Sequence, residues 1–591
     1  MTSARAAVPR AGMTADRRRW LELGVLAAFL MIAALTRLPD LDARGQWDVD
    51  QGHDMRVLAA LVGQGQLPLL GPVTSAGTFH HGALYYYLLA PSAFLAGSSP
   101  VGVTVEFALL GIAAVGATWW LARLVGGPVA AAVAGGLLAV SPAGISESTF
   151  IWNANLLPLF AALAAIGVVK ARRTGRLRWW ALAAAGTMAT MQLHWLGGVV
   201  VVPVAAAWLL ELRRARRARS GTDVLRRAGV LGVVVIALGY LPLAVHEATA
   251  GASEIRAVLA YLAGGGAAGQ PGLIDRLLST ALHALAWPVV GSVTDRPLIS
   301  LIALLTVLVL GGIAVASGLR GVPAETPGDG PDPWAVRWLA GSIGFGVIAL
   351  AILAASLPDD HAQAFLDPLV LTLVGTGVAI LAQPAQNAAR EAPPAGASQN
   401  APQDLRSPSG TVQGASSAIR PAADAATRLV GPALGLLLAA GLAAIAISAW
   451  PPAASPDGGW RLADAAAAHV VDVVAAGWPP TEPRLLVSLP DFKPDDALRF
   501  PLERRGFPLE PPVPVPASAG GIDVGVVTIV CDPLFDATTG AACGGPAEER
   551  WMADAYPPGT MQLAERFKAG DRRIISIYGP SRLALRATAT P

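Results

Sequence analysis

The segment Gln46-Trp-Asp-Val-Asp-Gln-Gly-His-Asp54 places three carboxylates within seven residues, directly after the first long apolar run of the chain. A second polar segment, His80-His-Gly-Ala-Leu-Tyr-Tyr-Tyr87, lies before the next long apolar run, which begins near residue 101. Apolar runs of about 20 residues have the length that spans a bilayer. The order of these segments predicts a large polar loop, residues 37–100, between two membrane helices.

The composition of the whole chain indicates a polytopic membrane protein. Of its 591 residues, 53% are hydrophobic and 14% are charged, whereas soluble proteins carry about 25% charged residues. The net charge of +2 and the absence of a basic patch give no indication of nucleic-acid binding. We expect an α-helical bundle of about eleven transmembrane helices. The predicted spans are 20–36, 101–123, 128–145, 155–170, 179–195, 196–211, 228–246, 298–318, 335–356, 364–382 and 428–449.

The short loops indicate the orientation of the bundle, because Lys and Arg accumulate on the cytoplasmic side. Residues 170–178 hold five basic residues and no acidic one, and residues 211–227 hold seven basic residues against two acidic ones. The 37–100 loop instead holds five Asp and three Arg. We therefore expect a plasma (inner) membrane protein with a cytoplasmic N-terminus and an extracytoplasmic first loop. An odd number of spans then places the C-terminal segment outside as well.

The chain divides into four parts by composition. Residues 1–382 form the transmembrane module, and residues 428–450 form a last transmembrane helix. Between them, residues 383–427 are rich in Ala, Pro, Ser, Gln and Asn, which predicts a disordered cytoplasmic linker. Residues 451–591 alternate helical and strand patterns, which favours a small extracytoplasmic α/β domain. Its predicted helices are 461–476 and 495–505, and its predicted strands are 484–489, 523–531 and 573–578.

The two cysteines of the chain both lie in this C-terminal segment. A disulfide between Cys531 and Cys543 fits an oxidising compartment, which is also what the predicted orientation requires. The alternative is a pair of free thiols.

The first loop resembles that of a known enzyme family. Integral membrane glycosyltransferases of the GT-C fold, in the branch of protein O-mannosyltransferases and lipid A aminoarabinose transferases (glycosyltransferase family 39, PMT-like), carry an Asp-Glu or Asp-x-Asp signature there. A Pro-Pro-Leu-Tyr-Tyr-like element follows. Asp50-Gln-Gly-His-Asp54 resembles the signature, and His80-His-Gly-Ala-Leu-Tyr-Tyr-Tyr87 resembles the second element. The chain departs from the pattern at Gln51, where many relatives have Glu, and at Gly82-Ala83, where they have Pro-Pro. The resemblance covers roughly residues 20–250.

This resemblance implies transfer of a sugar from a polyprenyl-phosphate donor to an acceptor hydroxyl at the extracytoplasmic face, with inversion. A carboxylate within hydrogen-bond reach takes the hydroxyl proton, which contributes about 10²–10⁴-fold to the rate. Asp50 is the first choice for this base, Asp48 the second, and Asp54 a supporting acid. The sugar, and whether the acceptor is a lipid, a polysaccharide or a protein, stay open.

The departing phosphate needs positive charge or hydrogen-bond donors directed at it. The candidate donor-binding residues all lie at the same predicted side of the bundle. They are Arg56, His80, His81, Tyr85, Glu147, Asn153, Asn155, Gln192 and His194. Histidine and carboxylate side chains also suit divalent cations, although no tight spacing such as His-x₃-His is present. A divalent cation therefore stays open, and no other cofactor is expected.

A transporter or flippase of a lipid-linked sugar or other solute is the alternative. Transporters place ionisable residues near the middle of the membrane, on broken helices and in inverted repeats. The centres of the spans predicted here consist mostly of Ala, Leu, Val and Gly, and no repeat is evident. The sequence therefore favours an enzyme.

Overall fold

The chain folds into a large helical bundle followed by a small mixed α/β unit. The computed structural model describes residues 15–74, 79–263, 271–321, 330–353, 360–383, 416–511 and 525–581.

Apolar runs rich in Ala, Leu and Val form the long helices, and several begin with a proline in the first turn, where no backbone donor is needed. Pro100, Pro297 and Pro333 are examples. The helices are α1 (Ala15–Arg37), α2 (Leu41–Arg44), α3 (Val49–Gln64), α4 (Leu84–Leu95), α5 (Pro100–Val140), α6 (Pro142–Ser146), α7 (Leu157–Thr174), α8 (Leu177–Leu193), α9 (Val201–Ala218), α10 (Thr222–Gly239), α11 (Leu241–Thr249), α12 (Ser253–Ala263), α13 (Leu273–Val290), α14 (Pro297–Arg320), α15 (Pro333–Leu353), α16 (Asp367–Ala382), α17 (Ser416–Ser448), α18 (Gly459–Gly477), α19 (Asp496–Arg504), α20 (Asp536–Thr539) and α21 (Pro546–Ala555). Short 3₁₀ turns cover Asn153–Leu156, Trp195–Val200, Asp360–Leu366 and Pro533–Phe535.

The bundle is that of a multi-pass membrane protein, as the composition predicts. In the described part of the chain, nine helices are long and apolar enough to cross a bilayer, or ten if the bent pair α10 and α11 forms one span. This is slightly fewer than the eleven spans predicted. One reason is that α8, predicted as a span, has 17 residues. A second reason is that α5 counts as one helix although it contains two of the predicted spans.

The helix α5 reverses direction at Gly127, which has a positive φ of 86°. A Cβ atom on Gly135 would lie 3.0 Å from the Cβ of Trp119. Residues 16 apart in a straight helix would be separated by about 24 Å, so the two arms of α5 pack side by side. The spans predicted at 101–123 and 128–145 are therefore these two arms.

Two further segments differ from the prediction. The helix α13 was not expected, because Asp275, Arg276 and His283 interrupt its apolar pattern. Most of the predicted linker, 383–427, lies outside the described residues, and from Ser416 onward the chain is in α17.

The C-terminal unit contains one four-stranded sheet. Its strands are β1 (Arg484–Leu489), β2 (Val526–Cys531), β3 (Met561–Lys568) and β4 (Ile574–Pro580). The order is β1-β2-β4-β3, with β1 and β2 parallel and the other pairs antiparallel. Three strands match the predicted ones, whereas β3 was missed because half of its residues are polar and none is buried. A disulfide joins Cys531, at the end of β2, to Cys543, with their Cα atoms 5.6 Å apart.

The C-terminal unit packs directly on the first loop, and we call this contact region the docking interface. Trp47 of the loop is only 2% exposed. Its ring lies 4.6 Å from that of Trp460 and 5.9 Å from that of Phe500. Its indole Nε1 donates a hydrogen bond of 2.8 Å to the carbonyl oxygen of Ala497. Burial of an aromatic ring with its polar atom satisfied is a strong anchor, so the loop and the C-terminal unit hold each other in place.

Candidate active site

The helix α3 carries all three candidate catalytic carboxylates. Asp48 is its N-cap residue, and the backbone N–H of Asp48 donates to Oε1 of Gln51 at 2.8 Å. The side-chain amide of Gln51 in turn donates to the carbonyl oxygen of Ile151 at 3.0 Å. Gln51, where relatives have Glu, thus ties the start of α3 to the segment that follows α6.

Asp48 is engaged in ion pairs with the C-terminal unit. The ammonium of Lys493 lies 2.9 Å from its carboxylate, and the guanidinium of Arg572 lies 3.7 Å from it. Both cations also contact Asp532, at 2.5 Å and 2.9 Å respectively. Burial alone raises the pKa of Asp532, but the hydrogen bonds from Arg572 and Lys493 outweigh it and hold that pKa below its usual value.

Asp50 is the carboxylate of the three that faces solvent. Among the described residues, no hydrogen bond or ion pair binds its carboxylate. It lies within a crowded part of the surface, where partial loss of hydration and then the negative charge of Asp48 raise its pKa. A carboxylate with a raised pKa and no competing partner is suited to accept a proton.

Asp54 is buried, with 2% exposure. The hydroxyl of Tyr85 donates to one carboxylate oxygen at 2.7 Å, and that of Tyr86 donates to the other at 2.8 Å. Burial raises the pKa of Asp54 to about 7, although the two hydroxyl hydrogen bonds oppose this shift. Asp54 and Tyr85 therefore join α3 to α4 and do not face the surface on which Asp50 lies.

Arg56 also turns toward the C-terminal unit. Its guanidinium lies 2.7 Å from Asp496 and 3.0 Å from Glu503. His53 approaches the same Asp496 at 3.6 Å, and this contact raises the pKa of the imidazole. The charge of Arg56, expected to serve the donor phosphate, is thus already balanced within the docking interface.

His80 is held by a carboxylate that the sequence did not single out. Oε2 of Glu254 accepts a hydrogen bond of 2.7 Å from the backbone N–H of His80, and Oε1 lies 3.0 Å from the ring Nδ1 of the same residue. Glu254 belongs to α12 and is 8% exposed. This contact fixes the turn that leads into α4.

His81 and His194, two of the predicted donor-site residues, lie next to each other. Their rings lie 4.7 Å apart, and the ring of His361 lies 6.4 Å from that of His194. We call these three imidazoles the imidazole recess. The Nδ1 atom of His81 accepts from the backbone N–H of Trp195, and that of His194 accepts from Leu196, both at 3.3 Å.

These contacts determine what the recess can offer a ligand. Because each Nδ1 is an acceptor, the proton of each neutral ring is on Nε2, which becomes a donor. Burial, followed by the neighbouring His361 and His80, lowers the pKa of His81 to about 3. The ring is therefore neutral at physiological pH and presents a hydrogen bond instead of a charge.

Gln192 fixes the approach of the first loop to the recess. Its backbone carbonyl accepts from the N–H of Gly82 at 2.8 Å, and its side-chain oxygen accepts from Leu84 at 3.4 Å. A Cβ on Gly82 would lie 1.9 Å from that oxygen. This close approach, and the need for an N–H at position 82, explain the glycine where relatives have proline.

The remaining predicted residues have structural partners. The amide of Asn153 donates to the carbonyl oxygen of Leu193, and that of Asn155 donates to Phe150 at 3.1 Å. Glu147 and Asn155 line a small cavity between helices with Arg37 and Asp367. Asn153 therefore borders the recess through the end of α8, whereas Glu147 lies in a separate cavity.

Among the described residues, no group of three or more His, Cys, Asp or Glu side chains is arranged to hold a metal ion.

Known proteins are similar to this chain in sequence over the first part and in fold over nearly all of it. Residues 80–240 match the family described as dolichyl-phosphate-mannose-protein mannosyltransferase. The structure of ArnT from Cupriavidus metallidurans bound to undecaprenyl phosphate is 16% identical and has a TM-score of 0.53, with 95% of this chain and 98% of that chain covered. The fold is that of the GT-C glycosyltransferases. ArnT in the apo state gives a TM-score of 0.51 at 16% identity, covering 98% of this chain and all of that one.

No curated protein sequence matches the chain significantly. The family match over residues 80–240 and the shared fold together confirm the resemblance predicted from the first loop. The matched segment includes His80, His81 and Gln192, so it covers the recess side of the site.

Proposed function

We propose that this GT-C protein transfers one sugar from a polyprenyl-phosphate carrier to an acceptor hydroxyl, with inversion, and that Asp50 is the general base. The observation that carries the residue assignment is the different environment of the three carboxylates of α3. Asp48 is paired with Lys493, and Asp54 is enclosed by two tyrosines. Asp50 alone reaches solvent with a raised pKa.

The recess supports binding of the donor phosphate. The Nε2 donors of His81 and His194 lie on neighbouring rings, next to the amide of Asn153 and the backbone of Gln192. Neutral donors fixed by burial stabilise an anion without a competing hydration shell. We assign the phosphate to this recess and the acceptor hydroxyl to the side of Asp50. The apolar bundle would receive the prenyl chain.

We further propose that the protein lies in the plasma (inner) membrane with its N-terminus in the cytoplasm. The basic loops at 170–178 and 211–227 support this orientation. The disulfide of the C-terminal unit supports an oxidising location for that unit and for the first loop on which it packs. The site then acts on the extracytoplasmic face.

The test is sugar transfer from a panel of radiolabelled polyprenyl-phosphate sugars to membrane acceptors, with purified protein. Asp50→Asn should lower kcat by about 10²–10⁴-fold while donor binding persists, because only proton transfer is lost. Asp42→Asn is the matched control, since Asp42 belongs to the same loop but binds Arg461 at 2.8 Å and is not among the charged groups that shift the pKa of Asp50.

Two outcomes would contradict the proposal. If Asp48→Asn abolishes transfer while Asp50→Asn leaves it intact, the base assignment is wrong. If the wild type turns over no donor but moves a lipid-linked sugar or another solute across liposomes, the protein is a transporter.

A further inference from the structure

The edge of the C-terminal sheet that faces the first loop is built from charged residues distant in sequence. Lys493 follows β1, Asp532 directly follows β2, and Arg572 precedes β4. Because β1 and β2 are parallel and β4 is antiparallel to β2, all three lie at the same edge. Loops at the carboxyl ends of parallel strands are where α/β folds commonly place functional side chains.

Lys493 has contacts on both sides of the docking interface. Its ammonium lies 2.9 Å from Asp48 of the first loop and 2.5 Å from Asp532 of its own unit. The side chain is 13% exposed, and Asp532 is 3% exposed. An ion pair between such buried partners keeps a defined geometry. Exposed ion pairs, in contrast, contribute little to stability.

Asp48 is the N-cap of α3, and Asp50 lies in the first turn of that helix. A cap residue fixes where a helix begins, so the cation that immobilises Asp48 also fixes the position of Asp50. The approach of the C-terminal unit is close at this turn, because a Cβ on Gly52 would lie 2.2 Å from the carbonyl oxygen of Asp496.

We propose that Lys493 is a positioning residue of the transfer site, bridging Asp48 and Asp532 so that the C-terminal unit sets the place and charge environment of Asp50. This inference rests on the proposed function of Asp50. The C-terminal unit is then a part of the active site, and a chain lacking it is inactive even if the bundle folds.

The charged and titratable groups around Asp50 come from two elements. On α3 they are Asp48, His53 and Asp54, and from the C-terminal unit they are Lys493 and Asp496. Partial burial and then the charges of Asp48 and Asp496 disfavour the ionised form of Asp50, whereas His53 and Lys493 favour it. Removal of the positive charge of Lys493 leaves the negative charges of Asp48 and Asp496 less compensated. The pKa of Asp50 should therefore rise further.

The experiment compares Lys493→Gln, Lys493→Arg and the wild type in the full-length protein, with transfer measured over a range of pH. Lys493→Gln should lower kcat on the order of ten- to a hundred-fold, as expected for a displaced catalytic group, with little change in KM for the donor. The acidic limb of its kcat/KM profile should move to higher pH. Lys493→Arg, which keeps the charge, should restore the limb to the wild-type position.

Arg461→Gln is the matched control, because it removes the ion pair to Asp42 within the same interface, and neither residue is among the charged groups that shift the pKa of Asp50. It should leave both kcat and the acidic limb unchanged. An unshifted limb in Lys493→Gln, in an active and folded protein, would overturn the inference. If Lys493→Gln does not fold, a shifted acidic limb in Lys493→Arg, which keeps the charge, would equally overturn it. Failure of the wild type to transfer sugar counts against the proposed function instead.

Discussion

The docking interface and the imidazole recess are built from opposite chemistry, although the interface packs on α3 and the recess includes His81, which lies just before α4. The interface is held by full charges, such as Lys493 with Asp48 and Arg56 with Asp496. The recess is lined by neutral imidazoles and amides with backbone partners. The difference follows from solvation. Charged side chains persist where they stay hydrated or face an opposite charge, whereas buried imidazoles without such a partner lose their charge.

This contrast separates two tasks of the proposed reaction. The charged side controls a proton acceptor, and its behaviour should depend on pH and on ion pairing. The neutral side supplies hydrogen bonds to an anion, and its behaviour should depend on geometry. Substitutions of the interface residues whose charges act on Asp50 should therefore change the pH dependence of transfer, whereas substitutions in the recess should lower kcat at every pH.

The largest effect on stability is expected from Arg573 in the docking interface. Its guanidinium donates to the carbonyl oxygens of Trp47 and Asp457, and the residue is 2% exposed. Arg573→Met should destabilise the contact by about 3–5 kcal/mol, because it leaves the buried carboxylate of Asp457, 4.0 Å away, without its opposite charge. Thermal unfolding of the purified protein measures this. Arg572→Gln, at a side chain that is 32% exposed, should lower the Tm far less, and equal shifts would show that the interface does not depend on buried pairs.

The next largest effect is expected on kcat, from substitution of His81 in the imidazole recess. His81→Phe removes the proposed Nε2 donor while it keeps an aromatic ring of similar shape. Loss of one donor to a developing anion costs about 10²–10³-fold in kcat. His81→Gln keeps an N–H donor and should retain more activity at every pH. If both variants have the same kcat as the wild type, the phosphate does not bind at the recess.

The sequence predicts much of this architecture because its signals are local. The apolar runs, the first loop and three of the four strands follow from periodicity and composition. The partners of the carboxylates do not, since Lys493 lies 445 residues from Asp48 and Glu254 lies 174 residues from His80. The spacing of Asp48, Asp50 and Asp54 likewise gives no sign that one is paired, one exposed and one buried. Only the packing of distant segments creates that difference.

A moderate effect is expected at Asp54, which lies between the two regions. Its pKa of about 7 in the folded protein exceeds the value of 3.8 in an unfolded chain. The folded state therefore binds the proton more tightly, and this contribution to stability is complete at low pH and falls as the pH rises toward about 7. Asp54→Asn should remove this slope, as measured by Tm against pH.

Tyr85→Phe provides the comparison for Asp54, because it removes one hydroxyl donor at 2.7 Å and keeps the carboxylate. It should lower stability at neutral pH by about 1–3 kcal/mol, the cost of an unsatisfied buried acceptor. The pH slope should persist or become steeper. A wild-type Tm that does not vary with pH in this range would show that Asp54 stays ionised.

The smallest effect is expected where the interface is exposed to water. Arg461 and Asp42 form a bidentate pair at 2.8 Å and 2.9 Å, but their side chains are 55% and 35% exposed. Such exposed pairs contribute little to stability and weaken with salt. Arg461→Gln should thus shift the Tm only slightly, and high salt should abolish the difference from the wild type. A large decrease in Tm that does not depend on salt would mean that the exposed rim of the interface stabilises docking as much as its buried centre does. The expected difference between exposed and buried ion pairs would then not apply to this interface.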